Sequence, residues 1–167
     1  MRVRPVTDAD IEELSRGLKV VVDEKRWVAV QPPVTEAELG ERFRTRLAEG
    51  HRMFALEDDE AEDGPTLIGN IDLRPTRIDG VHAIGMWILP GGRGKGGGRL
   101  LLEAAIDARP SDVHKIELEV WPHNEAAIGL YERFGFEREG LRRDHYRRND
   151  GKLHSSVIMA RLFPEAF

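Results

Sequence analysis

Apolar and polar positions alternate along this chain in two periods, and each change of period marks an element. A short strand covers residues 1–6, and Thr7-Asp8-Ala9-Asp10 then opens a helix to about residue 25, with Thr7 as cap and Asp10 where a capping-box carboxylate belongs. Residues 27–33 hold two prolines and read as irregular. Thr35-Glu36-Ala37-Glu38 starts a second helix, closed by Gly50 and striped by Leu39, Phe43 and Leu47. From Arg52 the period becomes strand-like: 53–56 and 66–73 form a hairpin around an acidic break at 57–64, and 81–89 is the next strand. Leu100, Leu101, Leu102, Ala104, Ala105 and Ile106 make 99–108 a buried helix, ended by Pro110. Ile116, Leu118 and Val120 alternate with Glu117 and Glu119, a strand with one polar face. A helix over 124–134 closes at Gly135, and 136–147 and 152–162 form a hairpin around Asn149-Asp150-Gly151.

This order predicts an α/β fold, a mixed sheet with helices on both faces. At 167 residues the chain holds one domain, 1–167, with no repeat and no linker. A composition of 40% hydrophobic and 33% charged residues describes a soluble globular protein. The net charge of −5 argues against nucleic acid as a partner. No cysteine is present, which excludes disulfides, thiolate zinc sites and a cysteine thioester. No run approaches the roughly 18 apolar residues of a membrane span and no signal-peptide core opens the chain, so a cytoplasmic location follows as the default.

The first chemical signal is the stretch from Ile88 to Arg99, where six of twelve positions are glycine. It lies between a strand and a helix, so the backbone can approach a ligand and the helix N-terminus forms an anion site. Arg93, Lys95 and Arg99 add positive charge, and a diphosphate is the natural guest. A structural turn needs one or two glycines, not six. The loop also satisfies the dinucleotide pattern through Gly92, Gly94 and Gly97, with Glu117 about 20 residues on as the ribose-binding acid, a weak match. A Walker loop fails, since Gly96 follows Lys95 and Leu89 replaces the first glycine.

The second signal is Trp121-Pro122-His123-Asn124-Glu125-Ala126-Ala127-Ile128-Gly129-Leu130-Tyr131-Glu132-Arg133-Phe134-Gly135-Phe136. Together the two stretches resemble the GNAT superfamily of acetyl-CoA-dependent N-acetyltransferases: Arg93-x-x-Gly96-x-Gly98 matches its pyrophosphate motif, and Asn124, Ala127, Leu130-Tyr131 and Gly135-Phe136 match its second cofactor motif. The resemblance implies a largely antiparallel GNAT-like sheet in a single layered domain, with acetyl-CoA as cofactor. It implies that Ile88 and Leu89 offer backbone groups to the pantetheine arm, that residues Arg93, Gly94, Lys95, Gly96, Gly97, Gly98 and Arg99 hold the pyrophosphate, that Asn124 contacts the cofactor and that Tyr131 faces the sulfur. Helix geometry independently puts Asn124 and Tyr131 on one face, roughly 10 Å apart. The alternative for Tyr131 is a core aromatic beside Phe134. Three departures stand out. Gly97 replaces a branched apolar residue, which implies a looser loop; Ala83 stands where many members carry a glutamate; and Ser155 replaces an aspartate of one subgroup.

An alkyl amine with a pKa of about 10.4 must lose a proton before it attacks a thioester, and the departing thiolate needs a donor. His82 is the preferred base, with Glu119, Glu117 or water as alternatives; Tyr131 is the donor; a strand amide near Ile88 faces the oxyanion. Glu24 and Trp27 lie where the family builds its acceptor wall and, with Glu119, form the candidate acceptor-binding set, Trp27 offering an aromatic face and Glu24 a carboxylate to a cationic amine. The other histidines, His51, His114, His123, His145 and His154, show no ligand spacing. Asp58, Asp59, Glu60, Glu62 and Asp63 match a calcium loop poorly and read as a solvated turn. Arg138, Arg142, Arg143, Arg147, Arg148 and Lys152 read as a charged hairpin face. The expected reaction is direct N-acetylation of a small-molecule or peptide amine without a covalent enzyme intermediate. The competing readings are an NAD(P)-dependent oxidoreductase and a non-catalytic acyl-CoA-binding module. Neither nucleic acid nor membrane is an expected partner, and a second copy in a homodimer is compatible with the sequence.

Overall fold

The computed structural model describes residues 1–60 and 66–164. Its order is β1 (Arg2–Pro5), α1 (Ile11–Asp23), α2 (Glu36–Ala48), β2 (Arg52–Asp58), β3 (Thr66–Pro75), β4 (Val81–Ile88), α3 (Gly97–Asp107), β5 (Lys115–Val120), α4 (Glu125–Arg133), β6 (Glu137–Arg147) and β7 (Leu153–Leu162). Seven strands form an open sheet in the order β1-β2-β3-β4-β5-β7-β6. The ladders β1–β2, β2–β3, β5–β7 and β6–β7 are antiparallel and β4–β5 is parallel, so the mixed, mainly antiparallel sheet expected of the sequence is present. Contacts divide the described residues into two compact units, 1–74 with 86–109, and 75–85 with 110–164.

The first unit is built on the helical stripe Ile11, Leu14, Leu18, Val21 and Val22 of α1, which packs into one cluster with Leu39 and Phe43 of α2, Met53 and Ala55 of β2, Leu67 of β3 and Trp87 of β4. The box residues close a one-turn 3₁₀ segment, Asp8–Asp10, ahead of α1, with Asp10 accepting from the Thr7 N–H at 2.7 Å and its hydroxyl at 2.9 Å; α1 itself starts at Ile11, so Thr7 caps the turn and not the long helix. Arg4 forks onto Asp10 at 2.7 and 2.8 Å and reaches Glu57 at 2.6 Å. That guanidinium holds the Asp10 carboxyl down at about 2. Thr35 and Glu38 form the reciprocal box at the head of α2. In β2–β3 the register jumps from Leu56↔Gly69 to Glu57↔Leu67, leaving Ile68 as a bulge. The Ile68 carbonyl accepts from Leu89 N–H at 2.8 Å, which fixes the exit of β4 into the glycine loop. Asp72 is buried and faces His51 Nδ1 at 3.1 Å, Arg74 at 3.5 Å and Arg46 at 3.6 Å, so His51 has a structural role.

In the second unit, the first half of β4 runs beside β5 with His82↔Ile116 and Ala83↔Glu117 in register. Ile116, Leu118 and Val120 point inward with Val157 and Met159 of β7. The hairpin turn is as expected: Arg148 N–H donates to Lys152 O at 2.8 Å and Gly151 N–H to Arg148 O at 2.9 Å. The charged-face reading of this hairpin needs one correction, since Arg148 is buried and lies 5.7 Å from the Trp121 ring centre. After β5 the chain forms α4 and then an antiparallel hairpin, so among the described residues the further parallel βαβ units of a dinucleotide domain are not formed. Of the acidic break, Glu62, Asp63 and Gly64 lie outside the described residues, while Asp59 pairs with the chain's amino terminus and Asp58 accepts from Glu60 N–H at 3.2 Å.

Candidate active site

The glycine loop leaves β4 through a 3₁₀ turn at Pro90–Gly92 and enters α3 at Gly97. Gly94 and Gly96 have φ of +74° and +88°, a backbone that side chains resist, and a Cβ at either would meet nothing within 4 Å. Open space therefore lies beside the backbone at both bends. Arg99 and Leu100 N–H groups bond back to Gly96 O at 3.1 and 3.3 Å, so the amides ahead of them, through Gly98, are the ones a bound anion can use. Lys95 is exposed, and the exposed Arg99 pairs with Glu103 at 2.6 Å. No carboxylate precedes them in the loop. A diphosphate fits this donor set by charge and by the room above Gly94 and Gly96.

Gly97 plays a different part from its neighbours. It is buried, and a Cβ there would come inside 3.0 Å of the Leu56 Cδ2 methyl. The absence of a side chain there is what lets α3 and Leu56 of β2 approach this closely. The backbone groups of Ile88 and Leu89 are largely engaged: Leu89 N–H goes to Ile68 O, Leu89 O accepts from Gly92 N–H at 2.9 Å, and Ile88 O accepts from Arg93 Nε at 2.9 Å. Each carbonyl oxygen has two lone pairs, and each of these bonds uses one.

Arg93 was expected among the pyrophosphate ligands, and its side chain is committed elsewhere. Its two terminal nitrogens fork onto Glu24 at 2.6 and 2.8 Å. Glu24 also accepts from Trp27 Nε1 at 2.8 Å. The Arg93 guanidinium, then burial opposing it, then Trp27 set the Glu24 carboxyl, with the net effect of lowering its pKa. Glu24 and Trp27 are thus brought together as the sequence suggested, but the carboxylate is neutralised by Arg93 and not presented bare to an amine.

In the second unit Asn124 caps α4, its Oδ1 accepting from Ala127 N–H at 3.3 Å. Tyr131 is buried in the core on the same helix, as the packing alternative also had it, and its ring lies 5.7 Å from that of Phe136. Burial pushes its hydroxyl up to about 12. His82 is half-buried on β4. Ala83, where a glutamate was absent, has Glu117 in register on β5.

Glu119 is a junction that sequence reasoning placed but did not furnish. It accepts from Ser156 Oγ at 2.6 Å, Arg142 Nη1 at 2.7 Å and the Tyr146 hydroxyl at 2.9 Å. Burial first, then Glu119, raise the Tyr146 hydroxyl. Tyr146 meets the Trp121 ring edge-on at 5.1 Å, and His154 lies 5.8 Å from the same ring. The signal that could have found these partners is the hairpin register, which sets Arg142 opposite Ser156 and Tyr146 opposite His154. No group of His, Asp or Glu among the described residues could hold a metal ion.

A sequence profile described as the acetyltransferase (GNAT) family matches residues 20–136. The chain is 36% identical over 110 residues to an N-alpha-acetyltransferase RimI of Mycobacterium tuberculosis, covering 63% of this chain and 65% of that relative. It therefore spans just under two thirds of that curated relative's length. A ribosomal-protein-alanine N-acetyltransferase from Brucella melitensis superposes with a TM-score of 0.84 at 21% identity, over 98% of this chain and 100% of the other. A phosphinothricin acetyltransferase from Sinorhizobium meliloti in complex with AcCoA gives 0.80 at 21% identity, over 98% and 89%. These two likenesses establish the fold.

Proposed function

Because the chain belongs to the acetyltransferase (GNAT) family, we propose that residues 1–167 act as one N-acetyltransferase domain that moves an acetyl group from acetyl-CoA directly to a primary amine. The observation that carries this reading is the open cradle at Gly94 and Gly96 ahead of α3. Acetyl-CoA supplies an activated thioester, so the chain needs no nucleophile of its own, in keeping with the absence of cysteine. The amides from Gly94 to Gly98 bind the diphosphate, aided by the charges of Lys95 and Arg99. The outer lone pairs of the Ile88 and Leu89 carbonyls take the amide N–H groups of the pantetheine arm. Asn124 sets the direction of α4 by capping it, and through α4 the orientation of Tyr131.

The amine must arrive neutral or lose its proton. His82 takes that proton, with Glu117 as the alternative acceptor because it stands across from Ala83. Tyr131 keeps its own proton up to about pH 12 and donates a hydrogen bond to the departing sulfur. The name of the M. tuberculosis relative supports the α-amine at a polypeptide N-terminus as the acceptor class.

Calorimetry with acetyl-CoA, followed by thiol-release assays on peptides with free and blocked N-termini, tests the reading. Micromolar binding, release only with free N-termini, and loss of binding in Gly96→Asp are expected. Binding of NAD without acetyl-CoA would transfer the loop to the oxidoreductase reading, and binding without release to the acyl-CoA-binding module.

A further inference from the structure

The loop's first motif residue is tied to a segment 69 positions earlier in the chain. Arg93 has five N–H donors, and one on each nitrogen is used: Nε on the Ile88 carbonyl, Nη1 and Nη2 on the two Glu24 oxygens. Glu24 in turn takes three hydrogen bonds, the third from Trp27 Nε1. Both charged side chains are well covered, 32% and 27% exposed. The Arg93 guanidinium also lies 5.4 Å from the Trp27 ring centre, and Arg26 lies 4.6 Å from it. Trp27 packs against the core cluster of the first unit. A chain of contacts therefore runs from that core through Trp27 and Glu24 to the residue immediately before Gly94.

Glycines at positive φ make a cradle but do not hold it still. What fixes this loop is its start, where Arg93 is bound by its N–H to Pro90 O at 3.4 Å and by one N–H on each of its three guanidinium nitrogens. A planar two-point fork onto a carboxylate is a geometric device that a point charge cannot replace. We propose that Glu24 and Trp27 are positioning residues for the glycine loop, that Arg93 is the bracket they hold and not a diphosphate ligand, and that occupancy of the loop is felt at the Trp27 indole. The inference rests on the acetyl-CoA reading and adds two residues outside the motif to the machinery of cofactor binding.

The test uses coenzyme A and the full chain, with calorimetry and the indole Nε1–H resonance of Trp27, identified by its loss in Trp27→Phe. In the wild type that resonance shifts as coenzyme A is added and saturates with the calorimetric isotherm. Glu24→Gln and Arg93→Lys each weaken coenzyme A binding about 10-fold, the scale of one lost charge-assisted hydrogen bond, and in both the indole ceases to track the ligand. Glu24→Asp, which keeps the charge, recovers part of the affinity. Melting curves identify any variant that does not fold, and Trp27→Phe, which removes the indole N–H bond and keeps a smaller aromatic ring, then stands in with a loss of about 3-fold. Arg93→Lys binding as tightly as wild type would make Arg93 a simple charge and overturn the bracket. So would an indole that stays still while wild type binds, or unchanged affinity in Glu24→Gln. A wild-type chain that binds no coenzyme A overturns the acetyl-CoA reading, and the bracket with it.

Discussion

Replacing Tyr131 by phenylalanine removes one oxygen from a buried ring, and the burial of that ring sets two magnitudes. Its hydroxyl titrates near 12 in the folded chain and near 10 when unfolded, on the usual value for tyrosine. A folded pKa above the unfolded one means that stability is fully present below pH 10 and is lost as pH rises through 12. The two-unit gap is worth about 2.7 kcal/mol in all, of which about 1.4 kcal/mol is gone by pH 11. The phenylalanine variant has nothing to ionise there. Urea unfolding of both chains at about pH 9 and about pH 11 should therefore show the wild type losing about 1.4 kcal/mol more than the variant. The same shift limits the chemistry. A thiol near 8.5 is a stronger acid than this hydroxyl by about 3.5 units, so handing over the proton entirely is uphill by about 4.8 kcal/mol. Tyr131 then helps by donating a hydrogen bond to the charged sulfur, worth roughly 1.5–3 kcal/mol, and single-turnover acetylation by the variant should fall about 10- to 10²-fold with coenzyme A affinity unchanged. Normal single turnover would remove Tyr131 from the reaction, and a wild-type–variant difference that ignores pH would refute the burial argument.

Three further outcomes are expected. Gly97→Val drives a branched side chain into Leu56 and should cost about 1–3 kcal/mol in urea unfolding; an unchanged midpoint would show that Leu56 moves aside. Asp10, held at about 2 by Arg4, stabilises the fold above its unfolded value near 3.8, a contribution lost as pH falls toward 2. Asp10→Asn should thus remove roughly 1–2 kcal/mol at neutral pH and flatten the acid limb of a stability profile; an identical limb would assign acid loss to other carboxylates. His82→Ala should lower kcat/KM and erase a limb of the pH–rate profile without altering coenzyme A binding, and an unaltered profile moves the base to Glu117, Glu119 or water.

Short-range grammar carried the fold. The Thr35–Glu38 box, the Asn149–Gly151 turn and the strand–glycine–helix passage at 88–99 each act over a few residues, so their identities alone decide the local backbone. The site was legible to the same depth: the cradle and Tyr131's helix could be read, the company of their side chains could not. Arg93 looks like a phosphate ligand until Glu24 arrives from 69 residues away. Glu119 looks like a bare carboxylate on a polar face until the register of β6 and β7 delivers Arg142, Tyr146 and Ser156. Gly97 looks like slack until Leu56 fills the place of its side chain. In each case the deciding contact joins elements distant in the chain, where periodicity holds no information.

The outermost strand has a consequence for how copies of this protein behave when crowded. β6 ends the sheet order, and ten of its eleven residues are exposed. An exposed edge of that length invites a neighbour to add a strand. Seven of the eleven residues are charged, and the ladder with β7 breaks register twice, between Arg138 and Gly140 and between Arg142 and Tyr146. Buried charge and a twisted edge both penalise a strand docking from outside. The hairpin is thus its own guard against sheet-to-sheet growth, and exchanging Arg143 and Arg147 for valine and threonine would turn a solvated rim into a template for aggregation.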